Sequence, residues 1–462
     1  MTTSQKLSSK QKLGFGIFDL GGNLLFTLLG FYSQIYLTDT VGLLPAFAGA
    51  AIMVGALWDA ITDPCMGYLS DRTRSRWGRR RPYLLFGAIP MMLALWYFFS
   101  NPTWIGRDGP DAVWPLFAWA ATALMLVKTM STIINIPYTS LTPELTTDYN
   151  EQTSLNGYRF FCSAFGTLLG AAAVGPIVQA FASPGNPRPS QDPFGYSMMG
   201  LIFGLVIVIV TWITFFSVKE KPVDRSTISK KGFFATYLAV FKNRPYVILF
   251  ITYGLHIMAF TLLQGILSYY VEYILHRPND TFIVLGLLII VAIVFIPVSI
   301  LVAKHIGKKR TYQIFFVILP IACMILFFSG HLLTWPLFLA VVVLAGIGVG
   351  FNYVAPFAMV PDTIEYDAIR TGERKEGSYY GMWTFVSKLG AALAGFISGQ
   401  ILNLGGYVAH AEQSASAVMS IRVIIGPIPA IIFIVALILV NFYPLDEKTY
   451  NKMIETGKAE KL

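Results

Sequence analysis

The chain has 462 residues, of which 55% are hydrophobic and only 13% are charged, and its formal net charge is +9. A soluble protein carries roughly a quarter charged residues, so these proportions argue against a water-soluble domain and indicate a protein of the lipid bilayer. The positive charge lies in short clusters between apolar runs, which is typical of membrane topology rather than of a surface that binds nucleic acid.

Twelve apolar stretches are long enough to cross a bilayer as helices, which takes about 20 residues each. They predict spans 1 to 12 near residues 14–38, 45–70, 82–100, 113–140, 154–181, 195–217, 244–274, 281–303, 311–330, 335–360, 377–404 and 420–443. Span 4 is expected to exit through Ile136-Pro137-Tyr138 to Pro143-Glu144, and span 10 in a similar way through Ala355-Pro356-Phe357 to Pro361-Asp362. Membrane helices otherwise tolerate proline well.

Basic residues concentrate in those connections that face the cytoplasm if the N-terminus lies inside. This asymmetry predicts a multi-pass protein of the cell membrane (the inner membrane in a Gram-negative cell) with both termini cytoplasmic. The N-terminal segment is polar and basic and has no small-residue cleavage site, so we expect it to be a retained cytoplasmic tail. The three cysteines lie in apolar runs and are interpreted as core residues, without a disulfide or a metal.

The two halves of the chain are similar to each other. Gly78–Arg81 follows span 2, and the equally basic Gly307–Arg310 follows span 8. These similarities predict two six-helix bundles, 1–217 and 244–462, joined by a cytoplasmic loop at 218–243. Such internal repeats are typical of transporters with a binding site between the repeats.

Two carboxylates, Asp59 and Asp63, lie four residues apart in span 2, so a helix places them on one face. Their repulsion in a medium of low dielectric must be offset by a bound cation, a proton or a basic partner. The hydroxyls of Thr62 and Thr132 could complete a Na⁺ site, because hard cations prefer several oxygen ligands. The alternative is that the carboxylates pair with arginines at the cytoplasmic surface.

Three basic residues fall within predicted spans: Lys128, Arg159 and Lys388. A charge in the bilayer either reaches the surface along its own aliphatic stem or serves a buried site. Lys128 is expected either to pair with Asp19 or to bind an acidic substrate.

Several motifs accompany these charges. They are Asp59-Ala-Ile-Thr-Asp63-Pro64, Gly67-x-x-x-Asp71-Arg72, Thr73-Arg74-Ser75-Arg76-Trp77-Gly78, Gly14-Phe15-Gly16, Tyr36-Leu-Thr-Asp39, Tyr158-Arg159-Phe160-Phe161 and Lys388. Together they resemble the glycoside–pentoside–hexuronide:cation symporters of the major facilitator superfamily, over nearly the whole chain. The resemblance implies an all-α membrane protein with twelve transmembrane helices in two pseudo-symmetric six-helix bundles, the major facilitator fold.

The resemblance also implies roles for individual residues. It places cation ligands at Asp59, Asp63, Thr62 and Thr132 and makes Lys388 a coupling partner of the span 2 carboxylates. Since a familiar member of this family has asparagine at the position of Thr62, both Na⁺ and H⁺ stay open as the coupling ion. Asp71, Arg72 and Arg79 are expected to form charge pairs that hold one gate closed.

The predicted sugar site departs from the family pattern. The family's specificity aspartates fall on Gly21 and Asn135, whereas Arg159 matches an arginine near the sugar. The candidate substrate-binding residues are Arg159, Asn135, Lys128, Asp19, Tyr32, Tyr138 and Trp383, and the aromatic ones, with Tyr379, either stack on a sugar or pack in the core. These changes predict a different glycoside or an acidic sugar such as a hexuronide.

Gly346–Gly350 lacks the Lys-Ser/Thr of a phosphate-binding loop, and no catalytic constellation accompanies the acids, so we expect neither a pump nor an enzyme. The expected function is cation-coupled symport of a sugar by alternating access, by a monomer without cofactor or nucleic-acid partner. The alternatives are a carrier of a non-sugar organic solute or lysolipid and a membrane sensor that does not transport.

Overall fold

A computed structural model describes residues 7–105, 112–145, 149–218, 240–329, 332, 334–352, 355–372, 376–445 and 447–456. The described residues form helices and contain no β-strand. The α-helices are, in chain order, Ser9–Gly16, Phe18–Ile35, Pro45–Arg72, Arg81–Phe98, Val113–Leu145, Tyr149–Ala172, Val174–Ala180, Pro193–Ser217, Arg244–Tyr269, Thr281–Ile306, Lys308–Ser329, Trp335–Asn352, Ala355–Thr371, Glu376–Leu404, Ala415–Ile425, Pro427–Asn441 and Glu447–Thr456.

Within the described part of the chain, ten helical segments are long and apolar enough to cross a membrane. An eleventh is the pair Ser154–Ala172 and Val174–Ala180, which is bent by 47° at its break. Predicted span 3 corresponds to Arg81–Phe98, whose 18 residues extend about 27 Å at the usual helical rise. The prediction of an all-α protein that crosses the membrane many times is confirmed.

The helices of spans 4 and 10 extend beyond the predicted ends at 140 and 360. Helix Val113–Leu145 includes Pro143, and helix Ala355–Thr371 includes Pro361. The predicted ends of these two spans were therefore too early. A proline costs a helix one backbone hydrogen bond and a local clash, and membrane helices accommodate this loss more readily than they leave a backbone unpaired.

The chain divides into two compact units. The first comprises Met1–Arg225, Val271–Gly286 and Gly395–Ala417, and the second comprises Ser226–Tyr270, Leu287–Ala394 and Val418–Leu462. Most of the predicted loop 218–243 lies outside the described residues, so the predicted boundaries of the two bundles stay a prediction.

Close packing in the first unit holds span 1 against span 5. A Cβ atom on Gly166 would lie 2.1 Å from the carbonyl oxygen of Leu20, and one on Gly170 would lie 2.5 Å from that of Leu24. Only residues without a side chain allow two backbones to approach so closely. This contact fixes the height of Asp19 on span 1 relative to Arg159 on span 5.

The loop before span 6 is organised by Asp192, which caps the helix Pro193–Ser217 by accepting a hydrogen bond from the Gly195 amide at 2.8 Å. Its carboxylate also accepts from the Ser183 amide at 3.0 Å and the Asn186 side chain at 2.7 Å. Burial alone would raise the pKa of Asp192, but these hydrogen bonds outweigh it and lower the pKa below its ordinary value. The loop between residues 183 and 192 is thereby held on the helix that follows it.

Candidate functional site

The two predicted cation-binding carboxylates meet at one hydroxyl group in the first unit. Thr132 Oγ lies 2.9 Å from Asp59 Oδ1 and 2.8 Å from Asp63 Oδ1, and Thr132 is buried. A threonine hydroxyl has one hydrogen, so it donates to one carboxylate at a time. The second oxygen–oxygen contact is favourable only with a proton or a cation beside it. The arrangement therefore suits a bound positive charge.

Lys128 lies one helical turn before Thr132 and adds a positive charge to the same group. Its ammonium nitrogen is 3.8 Å from Asp59 Oδ2, and both side chains are largely buried. Of the two roles predicted for Lys128, pairing with Asp19 was wrong, because the acid that Lys128 contacts is Asp59 and Asp19 pairs with Arg159. A second contact between spans 2 and 4 is the hydrogen bond from Trp58 Nε1 to Thr129 Oγ, at 2.8 Å.

Thr62, the fourth predicted cation ligand, donates its hydroxyl hydrogen to the backbone oxygen of Asp59 at 3.3 Å. This bond lies within span 2 and leaves the hydroxyl oxygen able to act as an acceptor or ligand. The structure thus places Thr62 on the same helix segment as the carboxylates, and its role as a ligand stays a prediction.

Asp19, Tyr138 and Arg159 form a second polar cluster in the first unit. The Arg159 guanidinium forms a bidentate salt bridge with the Asp19 carboxylate, with Nε 2.7 Å from Oδ2 and Nη2 3.3 Å from Oδ1. Tyr138 donates its hydroxyl to the same Oδ2 at 2.5 Å, and Phe15 and Phe18 stack on the tyrosine ring. Bidentate salt bridges of this kind are strong and directional. They hold Arg159 on a largely buried acid, so its side chain does not extend to the membrane surface.

A small recess of about 10 Å³, enough for about one water molecule, opens between spans 1, 4 and 6 of the first unit. Its lining consists of Phe18, Gly21, Gly22, Leu25, Ser131, Ile134, Asn135, Ile207 and Thr211. Thr211 is completely buried, and its hydroxyl has no hydrogen-bond partner among the described atoms. Buried hydroxyls normally have a partner, and Thr211 lacks one among the described atoms. Together with Ser131 and Asn135, it places neutral hydrogen-bonding groups on an otherwise apolar wall.

The predicted aromatic candidates mostly pack in the core. Tyr32 is buried and donates its hydroxyl to the Ala171 carbonyl at 2.8 Å. In the second unit, Trp383 stacks on Tyr253 with ring centres 3.8 Å apart, and the buried Tyr379 hydroxyl accepts from Asn243 at 3.0 Å. Of the two roles considered for these rings, the structure favours packing.

The remaining candidates are placed as follows. Lys388 lies in the helix Glu376–Leu404 of the second unit, and its coupling role stays a prediction. Asp71 and Arg72 end the helix Pro45–Arg72, where the Arg72 guanidinium lies 3.6 Å from the centre of the Tyr68 ring. The Asp71 side chain lies outside the described residues, so the gate of Asp71, Arg72 and Arg79 also stays a prediction.

Among the buried acids, sequence reasoning missed the role of Asp39, which directly follows predicted span 1 and is only 3% exposed. It appeared in the sequence only as part of the motif Tyr36-Leu-Thr-Asp39. The available signal was an acidic residue at the end of an apolar span. Its partners come from distant parts of the chain, so no local pattern revealed them.

Comparisons with known proteins agree with this architecture. The family described as MFS/sugar transport protein matches residues 14–447. A candidate sulfoquinovose importer of Escherichia coli (strain K12) is 30% identical over 97% of this chain and 94% of its own length. The glucuronide carrier protein homolog of the same organism is 27% identical over 98% of this chain and 96% of its own length.

A solved structure shows the same fold at low sequence identity. The crystal structure of a mutant of the nucleoside transporter NupG has a TM-score of 0.68 and 14% identity, and the match covers 94% of this chain and 98% of that chain. The major facilitator fold and the family resemblance predicted from the motifs are therefore confirmed. The chain belongs to the MFS/sugar transport family of the major facilitator superfamily, in its glycoside–pentoside–hexuronide-like branch.

Proposed function

We propose that this protein is a cation-coupled symporter that carries a sugar or glycoside across the cell membrane by alternating access, with both termini in the cytoplasm. The observation that supports it best is the Thr132 hydroxyl, which contacts the Asp59 and Asp63 carboxylates at once. Two half-buried acids around one hydroxyl suit a transported Na⁺ or H⁺, because a positive charge offsets their repulsion.

Coupling requires that each ligand favours binding of the other, and this effect is reciprocal. Span 4 provides the connection, since it carries both Thr132 and the recess residues Ser131 and Asn135. A cation that draws Asp59 and Asp63 towards Thr132 fixes span 4 and therefore the wall of the recess. The recess is too small for a sugar in this conformation, so the helices that line it would first have to separate, and the sugar hydroxyls would then bond to the neutral side chains of its wall.

An acidic sugar is the second candidate, and Lys128 favours it. The ammonium of Lys128 lies 3.8 Å from Asp59 Oδ2. A cation at Asp59 would weaken this pair and free the ammonium for an anionic group on the substrate. Support also comes from the glucuronide carrier protein homolog among the relatives, since a glucuronide carries a carboxylate. Arg159 contributes less to anion binding, because Asp19 already neutralises it.

The test uses purified protein in proteoliposomes, with Na⁺- and pH-sensitive dyes inside, challenged with nitrophenyl glucosides, galactosides and glucuronides. Symport predicts that one solute moves Na⁺ or H⁺ and that Asp59→Asn abolishes this movement. Asp280→Asn, the same chemical change in a partly exposed pair with Arg277, should leave it intact. Flux without ion movement in wild type would contradict cation coupling, and binding without flux would indicate a sensor.

The same assay distinguishes the two sugar classes. If the substrate is acidic, Lys128→Gln should reduce glucuronide flux more than the flux of any neutral glycoside, since an effect on the shared cation site would reduce both alike. If glucuronides neither move nor compete in wild type, the acidic candidate is wrong and the neutral one stands. Transport of none of these glycosides, but of a lysolipid or another organic solute, would instead identify a non-sugar carrier.

A further inference from the structure

A third polar network lies at the end of span 1 farther from the N-terminus, entirely within the first unit. Its members come from four separate parts of the chain, and we call them the Asp39 cluster. They are Asp39, Arg188, Gln191, Glu272, Tyr273, Tyr407 and His410. The network does not contain any of the residues proposed above for cation or sugar binding.

The Asp39 carboxylate is the centre of this cluster and is saturated with donors. Oδ1 accepts hydrogen bonds from Thr38 and Tyr407, each at 2.6 Å, and Oδ2 accepts from Gln191 at 3.2 Å and from Tyr273. A carboxylate has about four lone-pair sites, and all four are used. Asp39 therefore fits its surroundings as an ionised acid.

Arg188 connects the remaining charged groups. Its Nη1 lies 2.9 Å from His410 Nδ1 and 3.7 Å from Glu272 Oε1, and its Nη2 donates to the His410 carbonyl at 3.1 Å. The Gln191 amide bridges the two acids, since Nε2 also lies 2.6 Å from Glu272 Oε1. His410 Nε2 in turn contacts the backbone oxygen of Asp39.

These contacts assign the protonation of His410. Arginine has hydrogen-bond donors only, so Nδ1 of His410 must be the acceptor in its contact with Arg188. The backbone oxygen of Asp39 accepts only, so Nε2 of His410 must carry the hydrogen. The imidazole is therefore neutral in this arrangement. A second proton, taken from solvent by Nδ1, would remove the acceptor that Arg188 uses and place two like charges in contact.

We propose that the Asp39 cluster is a pH-sensitive latch, closed when His410 is neutral and loosened when His410 gains its second proton. Histidine is the side chain whose charge most readily changes between about pH 5 and 8. The charged and titratable groups that face His410 are Arg188, the Asp39 carboxylate and the Tyr273 hydroxyl, with Glu272 behind Arg188. The two carboxylates attract a protonated His410, whereas Arg188 repels it and is the group in direct contact with Nδ1.

Two independent observations support a held, switchable contact. His410 has a φ angle of 62°, in the left-handed region that residues with a side chain adopt uncommonly. The segment that carries Arg188 and Gln191 is itself fixed by the hydrogen bonds of Asp192. Loss of the contact between Arg188 and His410 would therefore release the segment around His410, because the loop 183–192 that carries Arg188 stays held by Asp192.

Released in this way, the segments Val271–Gly286 and Gly395–Ala417 would lose bonds to the ends of spans 1 and 6. Acidification is thus expected to favour opening at this end of the membrane. In the proposed topology this end faces outward, so an acidic exterior would open the protein towards the solute. The latch itself requires only the contacts of this cluster and is independent of which solute is carried.

The test measures this opening directly, without any solute. Nitroxide labels are placed at Thr103→Cys and Glu412→Cys in a Cys65→Ser background, since Cys162 and Cys323 are buried. Thr103 follows Asn101, whose amide donates to the Tyr36 hydroxyl of span 1 at 2.9 Å, and Glu412 follows His410. Double electron–electron resonance measures the distance between the two labels, with the protein in nanodiscs. It should show a longer-distance population that grows as the pH falls from about 8 to about 5.

The variant His410→Gln keeps a neutral side chain at all pH values and should show no growth of that population. His276→Gln is the matched control, because His276 is also an exposed histidine with a left-handed backbone in the first unit. It should respond to pH like wild type. A wild-type distance that does not change with pH overturns the proposal. So does a response that survives His410→Gln, because another group would then be the one that titrates.

Discussion

Thr132 is the residue on which the proposed cation site depends most directly. Replacing it with valine keeps the shape of the side chain and removes the hydroxyl that faces Asp59 and Asp63. A hydrogen bond to a charged group contributes about 1.5–3 kcal/mol. We therefore expect Thr132→Val to raise the cation concentration needed for half-maximal uptake by about tenfold or more.

Thr132→Ser is the matched control, because it restores the hydroxyl on a slightly smaller side chain. Uptake measured against Na⁺ concentration and against pH should return close to wild type in this variant. If valine supports uptake with an unchanged cation dependence, the hydroxyl is structural. The cation site would then have to be placed elsewhere on span 2.

At the level of single residues, the sequence predicted side chains better than it predicted their partners. The spacing of Asp59 and Asp63 was sufficient to place them on one face, because helical periodicity is local. The pair of Asp19 with Arg159 joins residues 140 positions apart. Such a pair depends on how span 1 packs against span 5, which no pattern within either span specifies.

At the level of helices, hydropathy located the spans and was least informative at their ends. The end of a soluble helix is often marked by proline, but Pro143 and Pro361 both lie inside helices here. In a bilayer, ending a helix exposes backbone groups that lipid cannot satisfy, whereas one proline removes a single donor. The apolar runs of spans 4 and 10 stop near 140 and 360, so hydropathy ended these helices too early, before Leu145 and Thr371.

The contact between spans 1 and 5 provides a test at this scale. We expect Gly166→Ala to separate the two helices, because the new methyl group would lie 2.1 Å from the Leu20 carbonyl oxygen, and a backbone atom cannot rotate away. Overpacking of this kind costs about 1–3 kcal/mol or more. The measurement is the thermal unfolding midpoint of the purified protein in detergent, which should fall.

Gly157→Ala serves as its control, since Gly157 lies in the same helix and nothing is within 4 Å of its missing Cβ. Alanine favours a helix over glycine by about 1 kcal/mol, so this variant should unfold at the wild-type temperature or slightly above it. An equal fall in both variants would mean that the helix itself, rather than the contact with Leu20, responds to the substitution.

At the level of the whole molecule, the fold class could be predicted because it depends on properties of long stretches of sequence rather than on single residues. Twelve apolar stretches, a repeated basic motif and a charge asymmetry together leave few architectures besides the major facilitator fold. The Asp39 cluster escaped prediction for the opposite reason. It joins side chains from residue 39 to residue 410, and each of them alone resembles an ordinary polar residue at the end of a span.

The orientation of the molecule is the remaining prediction, and it follows from where the arginines lie. Moving the six arginines between residues 72 and 81 across a bilayer costs far more free energy than leaving them on the cytoplasmic side. The negative cytoplasmic surface of the membrane also attracts them. We expect a membrane-impermeant maleimide to label Glu412→Cys in intact cells and Arg74→Cys only after permeabilisation, both in a Cys65→Ser background. Both positions are exposed, so accessibility alone does not distinguish them. The reverse pattern would invert the topology and place the Asp39 cluster on the cytoplasmic side, where the latch would respond to the pH of the cell interior.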